Sequence, residues 1–332
     1  MRYLVTGAAG FIGAAVSGAL MARGDSVIGI DNLNSYYPVT LKMARRDRLK
    51  DRHPDAFTFE KVDFSDHLAL AKALGGQDFD RIVHLGAQPG VRYSLENPRA
   101  YVEANVMGHL NLLELARERQ VDHMVYASSS SVYGDASKVP VSVEDRVDHP
   151  VSLYAATKKS DELMSETYAH LYGIPQTGLR FFTVYGPWGR PDMMVWSFTA
   201  KILAGDPIPV FNEGEVWRDY TYIDDIVSGV VAALDHPPAN DGSTKPGGST
   251  NPHTIYNIGN HRCEKLLDVI RVLEEACGRK AEMQMLPMQP GDVLRTFADI
   301  DAIQRDLGYQ PTTSVDVGIP RFVEWYRKYH TL

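Results

Sequence analysis

The feature of this sequence that most constrains its fold is a regular alternation of short apolar runs with longer amphipathic ones. Helical periodicity is clearest at residues 11–23, 99–119 and 153–173. The runs between such segments are rich in β-branched and aromatic residues and are predicted to be strands: 2–7, 26–31, 57–63, 81–87, 123–129 and 176–182. Strands joined through helices pair in parallel, so the sequence predicts an α/β fold, a doubly wound parallel sheet with helices on both faces.

A glycine-rich segment, TGAAGFIG at residues 6–13, lies where the first predicted strand ends and the first helix begins. Gly7, Gly10 and Gly13 permit a tight turn and a close approach of the backbone to a pyrophosphate, which the N–H groups of the helix N-terminus bind. Asp31 ends the second strand, where a carboxylate accepts ribose hydroxyl protons and repels a 2′-phosphate. Together they predict a Rossmann-type site for NAD rather than NADP. For the glycines alone, a plain strand–helix turn is the alternative.

The segment YAATK at residues 154–158 places a phenol and an ammonium four residues apart. This spacing puts Tyr154 and Lys158 on one face of a helix, and a nearby cation favours the phenolate over the phenol. Tyr154 is therefore a candidate general base or acid for a substrate hydroxyl. Taken alone, the spacing is a frequent accident, and it gains meaning only in combination with other motifs.

Composition excludes several classes of function. The 332 residues carry a formal charge of −8, which disfavours a nucleic-acid polymer as partner. Two cysteines are too few for a disulfide framework, and the eleven histidines show no metal-ligand spacing. The N-terminal segment MRYLVTGAAG lacks the features of a signal peptide, and no apolar stretch approaches the roughly 20 residues that span a bilayer. We therefore expect a cytoplasmic protein that uses no metal and binds no membrane.

The second half of the chain follows a less regular pattern. After about residue 185 the predicted elements become shorter, and Pro and Gly become more frequent. A chain of 332 residues is also long for one compact domain. We expect residues 1–185 to form the dinucleotide-binding domain, with Tyr154 and Lys158. Residues 186–332 should form mainly a smaller substrate-binding lobe, with some segments returning to the first domain.

In their order and spacing, TGAAGFIG, the four serines of YASSSSVYGD (126–135) and YAATK resemble the extended short-chain dehydrogenase/reductase family of nucleotide-sugar epimerases and dehydratases. The resemblance covers nearly the whole chain, and its second half is similar to the subgroup that acts on uronic acids. Further segments that carry the resemblance are VDFSD (62–66), HLGAQPGVRYS (84–94), RFFTVYGPWGRPDM (180–193), WRDYTYIDDI (217–226) and MQPGDVLRTFAD (288–299).

Carried over residue by residue, the resemblance implies an NAD site. Asp31 with Asn32 would hold the adenosine ribose, and Lys158 the nicotinamide ribose. Asp63 and Phe64 would face the adenine. The residues expected to contact the cofactor are Gly7, Gly10, Phe11, Ile12, Gly13, Asp31, Asn32, Asp63, Phe64, Leu85, Ala87, Gln88, Asn105, Tyr154 and Lys158.

The resemblance also implies a site for a UDP-sugar. Ser129, four residues before Tyr133, falls at the family's catalytic Ser/Thr position, beside Tyr154 and Lys158. Arg218 would meet the UDP diphosphate, because a planar guanidinium suits phosphate oxygens. Many hexose epimerases carry Arg where this chain has Gln289. The residues expected to contact the UDP-sugar are Arg92, Ser129, Ser130, Ser131, Thr183, Arg190, Phe211, Arg218 and Asp292, with a solvated loop cation as the alternative for Arg92 and Arg190.

The activity that the resemblance implies is epimerisation at C4 of a UDP-uronic acid, UDP-glucuronate to UDP-galacturonate, through a 4-keto sugar. A 4,6-dehydratase of this family draws its general acid and base from an Asp-Glu pair just after the catalytic Ser/Thr. A uronate decarboxylase typically carries a glutamate at the second of these positions. This chain has Ser130 and Ser131 there, and neutral hydroxyls are poor substitutes for carboxyl groups.

Two alternatives stay open beside a uronate epimerase. A UDP-hexose 4-epimerase would use the same motifs, although the uronate-like segments favour the uronate. A non-catalytic NAD-binding sensor belongs to another class and is disfavoured, because Tyr154 and Lys158 are both present. The predicted helices 99–119 and 153–173 are similar to those that form a four-helix dimer interface in this family, so a homodimer is expected.

Overall fold

The structure, a computed structural model, describes residues 1–135, 138–288 and 293–332. Its strands are β1 (Arg2–Thr6), β2 (Ser26–Asp31), β3 (Phe57–Lys61), β4 (Arg81–His84), β5 (His123–Ser129), β6 (Gln176–Phe181), β7 (Thr183–Tyr185), β8 (Ile208–Phe211), β9 (Trp217–Arg218), β10 (Tyr220–Tyr222), β11 (His253–Ile258), β12 (Glu264–Lys265) and β13 (Met283–Leu286). Its α-helices are α1 (Phe11–Ala22), α2 (Val39–Arg52), α3 (His67–Leu74), α4 (Tyr93–Glu96), α5 (Pro98–Tyr101), α6 (Gly108–Arg119), α7 (Leu153–Tyr172), α8 (Met194–Ala204), α9 (Ile223–Asp235), α10 (Leu266–Cys277), α11 (Asp301–Leu307) and α12 (Val315–His330). A π-helix, Val102–Met107, joins α5 to α6, and 3-10 turns cover Ser130–Tyr133 and Asn212–Gly214.

Seven strands form one parallel sheet in the order β11–β6–β5–β4–β1–β2–β3. The chain runs outward from β1 to β3 and then crosses over to β4, which lies on the other side of β1. Ligands of such sheets bind outside the carboxyl ends of the strands, at the point where the strand order reverses. The predicted α/β doubly wound sheet is confirmed.

Apolar side chains cover both faces of the sheet. On β1, Tyr3 and Val5 belong to one buried cluster and Leu4 to another, because successive side chains of a strand point to opposite faces. Leu112 of α6 packs in the cluster of Leu4, and Ala14 of α1 in that of Tyr3. Burial on both faces explains why the central strands β1 and β4 are continuous apolar runs rather than alternating ones.

Six of the strands and two of the helices follow the predicted ranges closely, but the predicted continuous helix 99–119 was wrong in detail. The structure interrupts it with the π-helix Val102–Met107. At the end of this segment, Gly108 contacts Phe64 so closely that a Cβ on Gly108 would lie 2.4 Å from the Phe64 ring. Short π-helical turns of this kind occur frequently at functional sites.

The second half of the chain supplies both the large sheet and smaller elements. Strand β11 is the seventh strand of the sheet and pairs with β6, while β7–β10, β9–β12 and β8–β13 form two-stranded sheets. Helix α9 packs against α1, on one face of the large sheet. The domain division at residue 185, with a substrate-binding lobe beyond it, stays a prediction. No helix within the described ranges is both long and apolar enough to cross a membrane.

Candidate active site

The glycine-rich segment forms the turn between β1 and α1, at the carboxyl edge of the sheet. Gly7 has a φ of +66°, and a Cβ on Gly13 would lie 2.1 Å from the Gly7 carbonyl oxygen, so this tight turn requires both glycines. Phe11 and Ile12 form the first turn of α1, and no side chain of the described residues caps its N-terminus at Gly10. The uncapped helix N-terminus fits an anionic pyrophosphate.

The segment after β4 lies against this turn. A Cβ on Gly7 would lie 2.8 Å from the Gly86 Cα, so the two backbones touch. Leu85 and Ala87 flank Gly86 and therefore stand beside the glycine-rich turn. The four predicted cofactor contacts Gly7, Gly13, Leu85 and Ala87 thus lie at adjacent strand ends.

Asp31 ends β2 and its carboxylate holds the neighbouring backbone. Oδ2 accepts a hydrogen bond from the Ala9 N–H at 3.2 Å, and Oδ1 accepts one from the Leu33 N–H at 2.8 Å. Burial raises the pKa of Asp31. The Asn32 side-chain amide donates to Oδ2 of Asp63 at 2.8 Å, which brings the ends of β2 and β3 together. This arrangement of acceptors fits a ribose, whose hydroxyl groups donate.

A polar cleft of about 270 Å³ opens beside these residues. Its lining includes Asn32, Asp63 and Gln88. The Phe64 ring lies instead in the core, with its centroid 5.3 Å from that of the His84 ring. A contact of Phe64 with an adenine base would therefore be made by the Phe64 backbone.

Asn105, on the π-helix, uses its side chain to fix two neighbouring segments. Its Oδ1 accepts from the Gln88 N–H at 2.8 Å, and its Nδ2 donates to the Gln88 carbonyl at 3.1 Å. The same Nδ2 lies 3.0 Å from the Thr157 hydroxyl on α7. Asn105 therefore joins the segment after β4 to the helix that carries Tyr154.

Tyr154 lies in the first turn of α7. Ser152 caps this helix by accepting a hydrogen bond from the Ala155 N–H at 3.1 Å, which sets where the helix begins. The Tyr154 ring is half-buried and packs edge-on against Tyr101, with 6.0 Å between ring centroids. The Tyr101 hydroxyl donates to the Pro89 carbonyl at 2.7 Å, so the segment after β4 also supports the tyrosine.

Lys158 lies one turn further along α7 and is 2% exposed. Its ammonium donates to the Ala127 carbonyl at 2.9 Å and to Oδ2 of Asp161 at 3.0 Å. Burial raises the pKa of Asp161 to about 6, against the lowering effect of the Lys158 charge. The sequence interpretation missed Asp161, although its place three residues after Lys158 on a helix was a usable signal.

The serine run forms the end of β5 and the 3-10 turn after it. The Ser129 hydroxyl accepts from the Ser131 N–H at 3.2 Å and donates to the Ser131 hydroxyl at 3.2 Å. Ser130 and Ser131 are half-buried. The Ser128 hydroxyl points to α7 instead and donates to Oε1 of Glu162 at 2.7 Å. The hydroxyl groups of Ser129, Ser130 and Ser131 thus lie at the end of β5, the strand whose Ala127 carbonyl accepts from the Lys158 ammonium.

A buried ion pair holds the serine turn in place. Arg180 donates through Nε and Nη2 to the two oxygens of Glu162, at 2.8 and 2.9 Å, and through Nη1 to the Tyr133 hydroxyl at 2.9 Å. Tyr133 in turn donates to Oδ1 of Asn257 on β11 at 2.6 Å. Burial opposes ionisation of Glu162, but the Arg180 guanidinium outweighs it and lowers the pKa of Glu162. Bidentate pairs of this kind fix geometry as well as charge.

Arg190 is held in an ion pair, which argues against the alternative of a solvated loop cation. Its Nε donates to Oδ1 of Asp192 at 3.0 Å, and the Tyr36 hydroxyl donates to Oδ2 of Asp192 at 3.3 Å. Burial opposes the charge of Arg190, but Asp192 raises its pKa, with smaller contributions from Tyr36 and Tyr154.

Two predicted substrate contacts lie against each other, and two others occupy strands. The Arg92 guanidinium carbon stands 5.2 Å from the centroid of the Phe211 ring, a cation–π contact. Thr183 begins β7, next to the end of β6. Arg218 lies on β9 and donates to the Leu294 carbonyl at 3.3 Å. Asp292 and Gln289 lie outside the described residues.

Arg45 is a further residue that the sequence interpretation missed. It is fully buried on α2 and donates to the Ala9 carbonyl at 3.2 Å and to the Gly189 carbonyl at 2.7 Å. It therefore ties the glycine-rich turn to the residues just before Arg190. Nothing in the basic sequence of α2 distinguishes Arg45 from its neighbours.

Within the described ranges, no group of three or more His, Cys, Asp or Glu side chains could hold a metal ion.

Residues 3–259 match the model of the NAD dependent epimerase/dehydratase family. The chain belongs to this family. Among its relatives, a probable UDP-glucuronate 4-epimerase of Rhizobium meliloti is 46% identical, with coverage of 100% of this chain and 99% of the relative. UDP-glucuronate 4-epimerase 4 of Arabidopsis thaliana is 48% identical over 99% of this chain and 76% of the relative. These matches confirm the resemblance that the motifs predict.

A solved structure superimposes on nearly the whole chain. It is the UDP-glucuronic acid 4-epimerase of Bacillus cereus in complex with UDP-glucuronic acid and NAD. The TM-score is 0.88 at 35% identity, with coverage of 99% of this chain and 100% of that chain. The likeness therefore includes the second half of the chain, beyond the segment that the family model covers.

Proposed function

We propose that this chain is an NAD-dependent UDP-glucuronate 4-epimerase, an isomerase that interconverts UDP-glucuronate and UDP-galacturonate. The observation that carries the proposal is the serine turn after β5. It offers hydroxyl groups beside the strand that binds Lys158, and the sequence 128–131 contains no carboxyl group. Relatives and a solved structure that bear this name, at 35% to 48% identity over nearly the whole chain, support it.

The chain's own residues would bind the cofactor at the edge of the sheet. The glycine-rich turn and the N-terminus of α1 suit the pyrophosphate, and Asp31 and Asn32 suit the adenosine ribose. The polar cleft beside Asp63 and Gln88 is also lined by Tyr36 and Tyr93. These residues would hold NAD, which would supply a reversible hydride acceptor for sugar C4, with no net redox change over the cycle.

Proton transfer falls to Tyr154, supported by Ser129 and Lys158. The Tyr154 phenolate takes the proton of the sugar 4-hydroxyl, with the Ser129 hydroxyl as hydrogen-bond partner of the same oxygen. The buried Lys158, one turn further along α7, would hold the nicotinamide ribose of the cofactor. After the 4-keto sugar has turned over in the pocket, Tyr154 returns the proton to the new 4-hydroxyl.

The uronate carboxyl group needs restraint during this cycle. The 4-keto intermediate is a β-keto acid, which loses CO₂ when the bond to its carboxylate aligns with the carbonyl π system. We assign the restraint to Ser130, Ser131, Thr183 and Arg190, of which Arg190 is held in place by Asp192. Elimination and decarboxylation are disfavoured in addition because the serine turn offers hydroxyl groups in place of carboxyl groups.

The outer part of the substrate would lie along the second half of the chain. We assign the UDP diphosphate to Arg218, and further substrate contacts to Arg92, Phe211 and Asp292. A smaller lobe beyond residue 185 would then bind the nucleotide sugar opposite the NAD-binding domain. A cytoplasmic location stays a prediction.

We also propose that the enzyme is a homodimer. Large apolar side chains are exposed on the π-helix and on α7, which pack against each other: Val102, Met107, Leu163 and Leu171. Leu163 and Leu171 lie eight residues apart and so share one helical face. An exposed apolar surface of this kind is typical of a contact with another chain.

Replacement of Tyr154 by Phe tests the assignment of an enzyme against that of a non-catalytic sensor. We expect Tyr154→Phe to lower kcat by about 10² to 10⁴, the usual contribution of a general acid or base. NAD binding should be retained, because the glycine-rich turn and Asp31 are unchanged. The measurements are the rate of epimerisation and the retention of NAD after gel filtration. Unchanged turnover in this variant would remove Tyr154 from the mechanism.

A further inference from the structure

A buried carboxylate stands against the lysine of the proposed mechanism. Asp161 is 0% exposed and lies on α7 three residues after Lys158, which is 2% exposed. Its Oδ2 lies 3.0 Å from the Lys158 Nζ. Its Oδ1 is buried and has no hydrogen-bond partner within the described ranges of the chain. Within the part of the chain that the structure describes, Lys158 is therefore the one side-chain partner that offsets the burial of this carboxylate.

Burial makes each member of this pair depend on the other. A lysine shielded from water favours the neutral amine unless an anion compensates its charge. Of the three N–H donors of the Lys158 ammonium, one bonds to the Ala127 carbonyl and one to Asp161. The third N–H donor is left for the ribose of a bound cofactor. Removal of one partner from a buried ion pair leaves an uncompensated charge, which is costly.

We propose that Asp161 is a positioning residue of the reaction, whose carboxylate holds the buried Lys158 ammonium against β5 and balances its positive charge. Asp161 acts through Lys158 and does not itself touch the substrate. This role deepens the proposed epimerase function and rests on it. The atoms involved are on adjacent turns of one helix and on the strand that leads to Ser129.

Four other ionisable groups act electrostatically on the pair. They are His84 on β4, His109 on α6, Tyr126 on β5 and Glu162 on α7. Burial lowers the pKa of His84 well below its usual value and that of His109 to about 3, so both rings are neutral at pH 7. Burial raises the pKa of Tyr126, and Glu162 is engaged by Arg180. The anion that contacts Lys158 is therefore Asp161.

The pH dependence of kcat/KM tests the role directly. In Asp161→Asn the buried amine loses its anion, so the alkaline limb of the profile should move to lower pH by about one unit or more. The matched control is Glu166→Gln, which removes a carboxylate from the next turn of the same helix, where it binds His253 rather than Lys158. Its alkaline limb should coincide with that of the wild type. Coincidence of all three alkaline limbs would overturn the proposal, as would an equal shift in both variants.

A stability cycle tests the pair without reference to activity. Lys158→Met should lower the melting temperature because it leaves the buried Asp161 carboxylate without its counter-ion. Adding Asp161→Asn should recover most of that loss. No recovery in the double variant would overturn the pairing, even if Asp161→Asn alone proved too unstable to assay. If the wild-type protein epimerises no UDP-sugar, the proposed function fails, and the cycle still decides whether the two residues depend on each other.

Discussion

At the scale of single residues, the site is organised by buried charges that bind backbone or an opposite charge. Lys158 binds the Ala127 carbonyl and Asp161, and Arg45 binds the Ala9 and Gly189 carbonyls. Such groups are costly to bury unless they are paired, and truncating one partner costs about 3–5 kcal/mol. The geometry of the site therefore depends on residues that never touch a ligand, as much as on those that do.

Arg190 offers a test of how the uronate is held. In Arg190→Ala we expect kcat/KM for UDP-glucuronate to fall by about tenfold to a hundredfold, the loss of one charged hydrogen bond. A UDP-pentose should appear beside the epimer, because the carboxylate is no longer held out of alignment. The measurement is product analysis by NMR with initial rates. The control is Arg271→Ala, which removes an exposed arginine paired with Glu275 on α10 and should behave as the wild type. Wild-type kinetics in Arg190→Ala would exclude Arg190 from the mechanism.

The residues that could be predicted from the sequence are those whose partners lie close in the chain. Gly7, Gly13 and the pair Tyr154–Lys158 show themselves through spacing and through their place at strand ends. Arg45 could not be predicted, because its acceptors at Ala9 and Gly189 lie 36 and 144 residues away. Such long-range hydrogen bonds depend on how the elements pack, which no local pattern in the sequence encodes.

At the scale of elements, helix α7 holds the candidate catalytic residues in position against the sheet. It carries Tyr154 and Lys158, bonds to β5 through Lys158 and to β6 through Glu162, and reaches β11 through Glu166. Tyr154 and Lys158 are therefore placed relative to three strands at once. These three strands are neighbours in the large sheet, in the order β11–β6–β5.

The contact of α7 with β11 predicts a pH-dependent stability. Oε2 of Glu166 lies 2.8 Å from Nδ1 of His253, and Oε1 accepts from Asn251 at 2.7 Å. The hydrogen bond with His253 lowers the pKa of Glu166 to about 2. A carboxyl group with a lowered pKa stabilises the fold above its unfolded pKa of about 4.3, and this contribution is lost as the pH falls through the folded value.

Glu166→Gln should therefore be less stable than the wild type at pH 7, by about 1 kcal/mol or less, because the carboxylate is partly exposed and screened by solvent. The difference should shrink as the pH falls from about 4.3 toward 2. Urea denaturation across this range measures it. A difference that stays constant with pH would contradict the assignment of the stabilising effect to the ionised carboxylate.

The π-helix marks the limit of prediction for elements. Periodicity at 99–119 predicts one helix, and the helical backbone does continue through the segment. The wider turn coincides with two tertiary contacts, that of Gly108 with the Phe64 ring and those of Asn105 with Gln88 and Thr157. The partners in these contacts lie elsewhere in the chain. The helical periodicity of residues 99–119 therefore does not reveal the wider turn.

At the scale of the whole molecule, the site is assembled at the carboxyl ends of the strands on both sides of the point where their order reverses. The sheet, its parallel pairing and the carboxyl edge that holds the site could all be predicted from the alternation of apolar strand segments with amphipathic helix segments. The seventh strand could not, because β11 follows a long irregular segment and pairs with a strand far back in the chain.

The proposed dimer contact is the exposed apolar face of the π-helix and α7. Leu163 is 57% exposed on this face, and we expect Leu163→Glu to convert a dimer into a monomer, since a charge cannot be buried in an apolar contact without a partner. The control is Leu68→Glu, which changes a leucine that is 71% exposed on α3 and should leave the dimer intact. Light scattering after gel filtration gives the mass of each. A monomeric wild type would refute the proposed dimer.

The central claim is that this chain epimerises a uronic acid at C4 and does not decarboxylate it. The most direct measurement is to incubate the wild-type protein with UDP-glucuronate and NAD and to identify the products by NMR. We predict UDP-galacturonate without UDP-xylose. An unchanged substrate, or UDP-xylose as the main product, would contradict the claim.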